Sequence, residues 1–531
     1  MPEAEATQAP PPGYRCYPER LNIAREALER PVEDGLGGHP ALLYEGGAVT
    51  YGELKRRVDA LARELKRLDV ERGDLVLIRM ANAPEFAIAF LALVKLGAIP
   101  VLVNSLLGPA ELSTILQEAE PRLAFTEASR AEALRAIRRG SSVQRVICAG
   151  GAETDEISWE SLLGNEGEGG KVEDTAADEP AFLVYTSGTT GKPKGIIHAH
   201  RWLVALGDLN RLRLTPKQDD IVMATGEWSF ISALGHNLLF PLRNRVCGAI
   251  LSGRASPENI LALIERHRVT VLYSVATVYR RLLAIPDFEK RYDLASLRCA
   301  NSTGEALREA TYYEWKRRVG CELYEHYGVS EFQLVIGQGP RQPVKPGSIG
   351  KPAPGLEVAI LNDHGQPVVP GEVGYFAISA YDPGLFLGYY KDPERTTALI
   401  QEGWFRTGDL AYQDGEGYFF IAGRADDCFK SRGIFISPAE IENALQRHPA
   451  VIEAAVVPEP DSEIGNRICA VVVLGEGHEP SDRLAESIRE EMRRHIAPFK
   501  VPHAIEFARS LPKSLVGKIL RSELTKEKSG L

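Results

Sequence analysis

The chain has 531 residues, with 62 Lys and Arg against 72 Asp and Glu, a formal net charge of −10, and 44% hydrophobic and 25% charged residues. That length exceeds one hydrophobic core and calls for two or more domains, while the acidic balance does not suggest a nucleic-acid-binding surface and leaves room only for a local basic patch. The seven cysteines are scattered and odd in number, with no CxxC pair, which argues against a disulfide framework or a zinc site and suits a reducing cytoplasm.

Residues 1–13 are acidic and Pro-rich, without a basic start or an apolar stretch, so no signal peptide is expected. Leu54, Val58, Leu61, Leu65 and Leu68 step by four and three, which predicts an amphipathic helix. A strand is expected over 74–80, a helix over 84–96 and a strand over 99–103. The most apolar run, 86–103, is broken by Lys95, Gly97 and Pro100, so it reads as a buried helix and strand and not as a membrane span. This βαβ rhythm implies a parallel sheet. Residues 164–178 are Gly-rich and acidic and read as a surface linker. The rhythm returns at 246–251, 260–267 and 269–274, with a further strand near 297–300. After Gly374 come short β-like pieces. Beyond Arg424 a helix over 438–447, strands over 451–457 and 468–474 and a helix over 483–495 outline an α+β unit of ordinary domain size.

The chemistry is most concentrated in Tyr185-Thr186-Ser187-Gly188-Thr189-Thr190-Gly191-Lys192-Pro193-Lys194-Gly195, which follows the apolar run 181–184. An apolar strand here runs into a loop dense in glycines, hydroxyls and lysines. Glycine lets backbone N–H groups approach an anion, hydroxyls add donors and lysines add charge, so the loop is read as a polyphosphate cradle. It is not a Walker loop, because two residues separate Gly188 from Gly191 where that motif needs four, and Pro193 stands where a metal-binding hydroxyl belongs.

The string resembles the phosphate loop of the adenylate-forming superfamily: acyl- and aryl-CoA ligases, luciferases and peptide-synthetase adenylation domains. Further strings extend the likeness over about 22–524, in the family's order. The resemblance implies that Thr186, Ser187, Gly188, Thr189, Thr190 and Lys194 hold phosphates. Ser302-Thr303-Gly304-Glu305-Ala306 would lie against adenine and the acyl group. In Glu325-His326-Tyr327-Gly328-Val329-Ser330-Glu331, Tyr327 would stack near adenine, Ser330 touch phosphate and Glu331 hold Mg²⁺. Asp409, in Trp404-Phe405-Arg406-Thr407-Gly408-Asp409, would accept from the ribose hydroxyls. Arg424 would reach ribose or phosphate, Asp426 would be the hinge, and Lys430, Ser431, Arg432 and Gly433 would border the nucleotide and the pantetheine channel. The family's catalytic lysine falls on Lys518.

The resemblance implies an α/β fold. A large N-terminal adenylation domain of parallel-type βαβ sheets with a short-stranded β subdomain would span 1–425, and a small mobile α+β lid, 426–531, would carry Lys518. It also implies ATP, Mg²⁺ and coenzyme A, and a small-molecule carboxylic acid as substrate. AMP transfer turns the carboxylate into a mixed anhydride with a good leaving group. The attacking group is the substrate's own carboxylate, so no enzyme nucleophile is required, in keeping with the lack of a GxSxG or a local Cys-His pair. Cys428 then reads as structural, and His198 and His200 as packing or orienting groups.

The acyl pocket would involve Trp228, Phe230, Ala233, Gly235, Ser302, Thr303, Gly328 and Phe332, with three aromatics closing a flat cavity around a ring. Several strings are similar to the benzoate- and 2-aminobenzoate-CoA ligase branch, including Tyr17-Pro18-Glu19-Arg20 and Asn104-Ser105-Leu106-Leu107. Others, such as Ala276-Thr277-Val278-Tyr279-Arg280, are equally like medium-chain acyl-CoA synthetases. Phe332-Gln333-Leu334 departs from the Met-Leu-His usual in benzoate ligases, and Gln333 and Ser302 suit a substituted ring such as 2-aminobenzoate. Arg432 and Lys500 are candidates for the CoA phosphates. A carrier-loading enzyme, a medium-chain synthetase and, from another class, a P-loop-like NTPase or kinase stay open, as do a homodimer and a separate carrier chain. No nucleic-acid or membrane partner is expected.

Overall fold

Thr50 starts the first long helix by accepting from Glu53 N while Glu53 accepts from Thr50 N, a reciprocal cap. The helix, Tyr51–Arg67, buries Leu54, Val58, Leu61 and Leu65 on one face. The next, Pro84–Lys95, buries every residue but Glu85, as a helix apolar over nearly its whole circumference must. The computed structural model describes residues 17–163, 170–187, 193–253, 255–426, 428–432, 434–461, 463–475, 477–512, 521 and 523–525.

By compactness the chain divides into two units, Met1–Glu357 with Ser379–Gly403, and Val358–Ile378 with Trp404–Leu531. The first is α/β and holds two eight-stranded sheets. One runs Gly388–Tyr389, Pro193–Ala199, Pro180–Ser187, Ile99–Leu102, Leu75–Arg79, Leu123–Glu127, Arg145–Ala149 and Ile157–Ser158, and is parallel from Pro180–Ser187 onward. The other runs Phe332–Gly337, Glu322–Val329, Cys299–Thr303, Val271–Ser274, Ile221–Ala224, Cys247–Ala249, Pro40–Tyr44 and Gly47–Thr50. Its inner strands are parallel and its two outermost pairs antiparallel.

In each sheet the strand order reverses about a central strand, Leu75–Arg79 in one and Ile221–Ala224 in the other. Parallel sheets bind ligands beyond the carboxyl ends of their strands near such reversals. The loops that leave those ends are joined: Asn82 donates to Gly226 O at 2.8 Å and accepts from Trp228 N at 2.7 Å, and Phe86 meets Trp228 edge to face at 5.5 Å.

The second unit contains an antiparallel sheet of Val358–Leu361, Gly374–Ser379, Trp404–Gln413 and Phe419–Arg424. It also holds a three-stranded sheet of Val451–Asp461, Gly465–Leu474 and Ala504–Ala508. Helices Pro438–Leu445 and Asp482–Arg493 cover this second sheet through Ile441, Leu445, Ile488 and Met492.

Most predicted elements lie within a residue or two of the observed spans; the helix expected over 260–267 starts earlier, at Pro257, the strand near 297–300 runs on to Thr303, the strand expected over 468–474 starts at Gly465, and 451–457 is longer, since its hairpin partner continues the ladder to Asp461. Residues 170–178 are not a surface linker throughout. Thr175 is fully buried, donates through Oγ1 to Leu21 O at 2.7 Å and accepts from Leu21 N at 3.0 Å. A polar, Gly-rich segment can be buried once its backbone finds such partners. Among the described residues no helix is long and apolar enough to cross a membrane.

Candidate functional site

Thr186 and Lys194 lie opposite each other in the hairpin that flanks the phosphate loop. Of that loop, Gly188, Thr189 and Thr190 lie outside the described residues, as do Gly433 and Lys518. Thr186 Oγ1 is buried and has no hydrogen-bond partner among the described residues. Side chains two apart on a strand share a face, so Lys194 and His198 project the same way from Pro193–Ala199. Both reach the turn after Glu322–Val329: Lys194 Nζ lies 2.8 Å from Glu331 Oε1, and His198 Nε2 lies 3.1 Å from Ser330 O. His198 is stacked on Phe182. Burial pushes its pKa down to about 3, so a neutral ring donates Nε2–H to the Ser330 carbonyl.

Tyr389, which sequence reasoning missed, donates its hydroxyl to the same Glu331 oxygen. Phe386 N–H donates to Glu331 O at 2.9 Å. Among the described residues no group of three or more His, Cys, Asp or Glu is gathered as a metal site. A hard cation at Glu331 would therefore complete its shell with phosphate and water, the usual habit of Mg²⁺.

Glycine is obligatory at Gly328. A Cβ there would stand 1.7 Å from the Gln333 carbonyl oxygen, at the irregularity between Tyr327 and Val329 where the ladder turns into the antiparallel edge. Gly235 is similarly pressed, its notional Cβ 2.4 Å from the Gln333 amide.

Glu325 is buried beside Ser302 on the adjoining strand. Its Oε1 accepts from Leu307 N at 2.9 Å, while Oε2 and the Ser302 hydroxyl have no hydrogen-bond partner among the described residues. Burial pushes the Glu325 carboxyl up to about 8. Gly304 takes φ +83°, and Glu305 accepts from Thr277 N and Oγ1 at 3.0 and 2.7 Å. Gly304, Glu305 and Ala306 are exposed, and Thr303 and Tyr327 half-buried. The imidazole of His326 turns inward to Gln338 O at 3.0 Å and the Tyr273 ring, which leaves its backbone as the part able to face a ligand.

The three aromatics do not close a cavity together. Trp228 and Phe332 are core residues at 0% exposure, and Phe230 is 49% exposed. The Trp228 indole donates to Asn237 Oδ1 at 2.9 Å. Phe332 packs so closely on Gly384 that a Cβ there would approach it to 2.9 Å. Each ring reaches the apolar neighbours that bury it best. Ala233 is buried against Gly226.

In the second unit Asp409 and Arg424 are cross-strand partners, with Nη1 to Oδ1 at 3.2 Å. Lys430 is paired with Asp363, and Ser431 Oγ donates to Asn466 O at 2.6 Å. Lys500 is paired with Glu440. Arg432 takes φ +53° and is exposed, and Asp426 is an exposed turn residue after Phe419–Arg424.

Strands of the two sheets thus bring a hydroxyl, an ammonium and a carboxylate to one place, a grouping suited to a phosphate-bearing ligand. The chain belongs to the AMP-binding enzyme family, matched over residues 29–390, and the C-terminal domain of the AMP-binding enzymes is matched over 440–518. An uncharacterized acyl–CoA ligase, YtcI, of Bacillus subtilis is 35% identical over 527 residues, covering 96% of this chain and 99% of that one. The benzoate–CoA ligase of Thauera aromatica is 32% identical over 518 residues, 97% of each. The crystal structure of the anthranilate CoA ligase AuaEII in complex with anthranoyl-AMP superposes with a TM-score of 0.85 at 30% identity, covering 97% of this chain and 99% of that one. The protein is thus an AMP-forming acid–thiol ligase of the adenylate-forming superfamily, near the benzoate and anthranilate branch, and it uses ATP.

Two expectations arise from this geometry. Gly328→Ala should lower kcat/KM for ATP at least about tenfold, because the turn that carries Ser330 and Glu331 must shift to admit the methyl group; pyrophosphate release with unchanged circular dichroism is the measurement. Glu325 should make the nucleotide-free protein less stable as pH rises. Its folded pKa of about 8 lies above the unfolded value, so the stability it contributes is present below about pH 4.5 and lost as pH climbs through 8. Glu325→Gln keeps an acceptor for Leu307 N. The melting temperature of the variant should therefore rise relative to the parent between pH 5 and 8, for a difference on the order of a few kcal/mol. Parallel pH profiles would contradict this.

Proposed function

We propose that the protein is an ATP-dependent aryl-carboxylate–CoA ligase for a benzoate- or 2-aminobenzoate-type acid. The supporting observation is the Thr186–Lys194–Glu331 grouping at the strand ends, set in a chain whose full-length relatives include a benzoate–CoA ligase and an anthranilate CoA ligase. Buried polar atoms without a hydrogen-bond partner among the described residues, Ser302 Oγ and Gln333 Oε1, favour a ring that carries a polar substituent.

Lys194, Thr186 and the loop residues Ser187 to Thr190 bind the phosphates. Tyr327 offers its ring to adenine, with Glu325 and Gly304–Ala306 beside it, and Ser330 touches phosphate. Asp409 and Arg424 serve the ribose. Glu331 would hold Mg²⁺, for which a buried carboxylate is a suitable donor. Magnesium supplies a Lewis acid that offsets phosphate charge. The carboxylate of the acid attacks the α-phosphorus, and pyrophosphate leaves. The thiol of CoA then attacks the acyl carbon, and AMP leaves. Lys518 serves the first step, Asp426 is the pivot between steps, and Lys430, Ser431, Arg432 and Gly433 border the pantetheine path. A cytoplasmic location belongs to the same proposal and suits the six described cysteines, none of which is joined in a disulfide among the described residues.

The test is a panel of benzoates, aminobenzoates and medium-chain acids, each given with ATP, Mg²⁺ and CoA. Substituted benzoates should yield AMP, pyrophosphate and a CoA thioester by mass. ADP as product would overturn the reaction class. Turnover confined to medium-chain acids would overturn the aryl assignment, and turnover with a carrier thiol in place of CoA would overturn the acceptor.

A further inference from the structure

We propose that in the nucleotide-free protein the Lys194 ammonium occupies the place of the metal ion at Glu331, so that metal enters only when phosphate draws Lys194 away. The inference rests on the assignment of Glu331 as the magnesium ligand.

The Glu331 side chain is 7% exposed. A carboxylate so withdrawn from water needs a counter-charge, and Lys194 Nζ supplies it at 2.8 Å from Oε1. Tyr389 holds the arrangement from two sides. Its hydroxyl donates to that oxygen, and its ring lies under the ammonium, 4.9 Å from Nζ to centroid. Tyr389 is itself fixed. It pairs with Ile196 across the strand, its N–H donates to Thr396 Oγ1 at 2.9 Å, and the Arg395 guanidinium covers its ring at 5.0 Å.

Glu331 is equally fixed, by the Phe386 N–H at its carbonyl and the His198 ring at the preceding one. These contacts anchor the backbone that carries the carboxylate; of the two described partners of its oxygen Tyr389 is anchored, and the ammonium on its flexible stem is the one able to leave. Two cations on one buried carboxylate oxygen repel strongly, so metal and Lys194 compete there. The phosphates of a nucleotide resolve the competition, since Lys194 sits directly across the hairpin from Thr186 at the mouth of the phosphate loop. Linkage makes the effect mutual: nucleotide strengthens metal binding, and metal strengthens nucleotide binding. Tyr389 is a positioning residue in this scheme, holding the carboxylate oriented while its cation changes.

The test uses Mn²⁺ as the probe and the full-length chain without nucleotide, with free Mn²⁺ read by electron paramagnetic resonance. Lys194→Met should bind Mn²⁺ about tenfold tighter than the parent, and the gain should vanish in Lys194→Met/Glu331→Gln. Lys194→Gln, which keeps a neutral donor, should show a smaller gain in the same direction, and it carries the test if Lys194→Met loses its cooperative melt. Equal Mn²⁺ affinity in the parent and the folded lysine variants would overturn the proposal. So would a gain that survives Glu331→Gln. In a separate arm, the metal requirement of AMP formation is compared between the parent and Glu331→Gln. An unchanged requirement removes Glu331 as metal ligand and the proposal with it. A raised requirement together with unaltered Mn²⁺ binding in the lysine variants overturns the exchange alone.

Discussion

Lys518→Ala should cut acyl-adenylate formation about a hundredfold or more, while conversion of supplied acyl-AMP to the CoA thioester stays near the parental rate. Negative charge accumulates on the α-phosphate oxygens and the bridging oxygen as pyrophosphate departs, and a cation placed there lowers the barrier. The second half-reaction expels AMP from an acyl carbon and does not build that charge. The split is measured by pyrophosphate release in one assay and thioester formation from synthetic adenylate in the other. Equal losses in both would make Lys518 a general structural residue and refute the division of labour.

Lys95→Ala should destabilise the first unit by about 3–5 kcal/mol. Lys95 ends the buried helix Pro84–Lys95, where a cation also suits the helix dipole. Its side chain is 2% exposed and is paired with Glu29 and Asp59. Lys55 completes the group, at 3.2 Å from Glu29 and 2.7 Å from Asp59. Removal of Lys95 leaves two withdrawn carboxylates with only the 28%-exposed Lys55. Lys55→Ala should therefore cost much less, about 1 kcal/mol. The triple change Lys95→Met/Glu29→Gln/Asp59→Asn should recover most of the loss, because the penalty lies in the unpaired charge. Urea unfolding followed by tryptophan fluorescence reports on this unit, which carries Trp159, Trp202, Trp228 and Trp315. A cost for Lys95→Ala within 1 kcal/mol of zero would show that water reaches the cluster.

Much of the fold was legible locally. The helix and strand after Met80 are declared by an apolar run with a Pro start and a Gly stop, and they form at Pro84–Lys95 and Ile99–Leu102. Lys95 misleads in such a pattern. It interrupts the run as a solvated lysine would, yet it is buried, because its partners arrive from Glu29 and Asp59. The aromatic pocket failed for a related reason: the size and chemistry of Trp228 and Phe332 were visible, but not the direction in which each ring points. Tyr389 gave only a weak signal, a Gly-Tyr-Tyr-Lys string between turn residues. Its importance comes from antiparallel pairing with Ile196, far away in the chain.

Taken alone, the order of residues determined which segments become strands and which loop concentrates hydroxyls, glycines and lysines, because side-chain periodicity and donor density are local properties. It also identified the family and hence the type of reaction. Only the tertiary structure decided that Lys194 meets Glu331 across 137 positions and that Tyr389 meets it across 58. Such partners are chosen by strand order and register, where a shift of one residue turns every side chain to the opposite face, and no local stretch of sequence carries that choice.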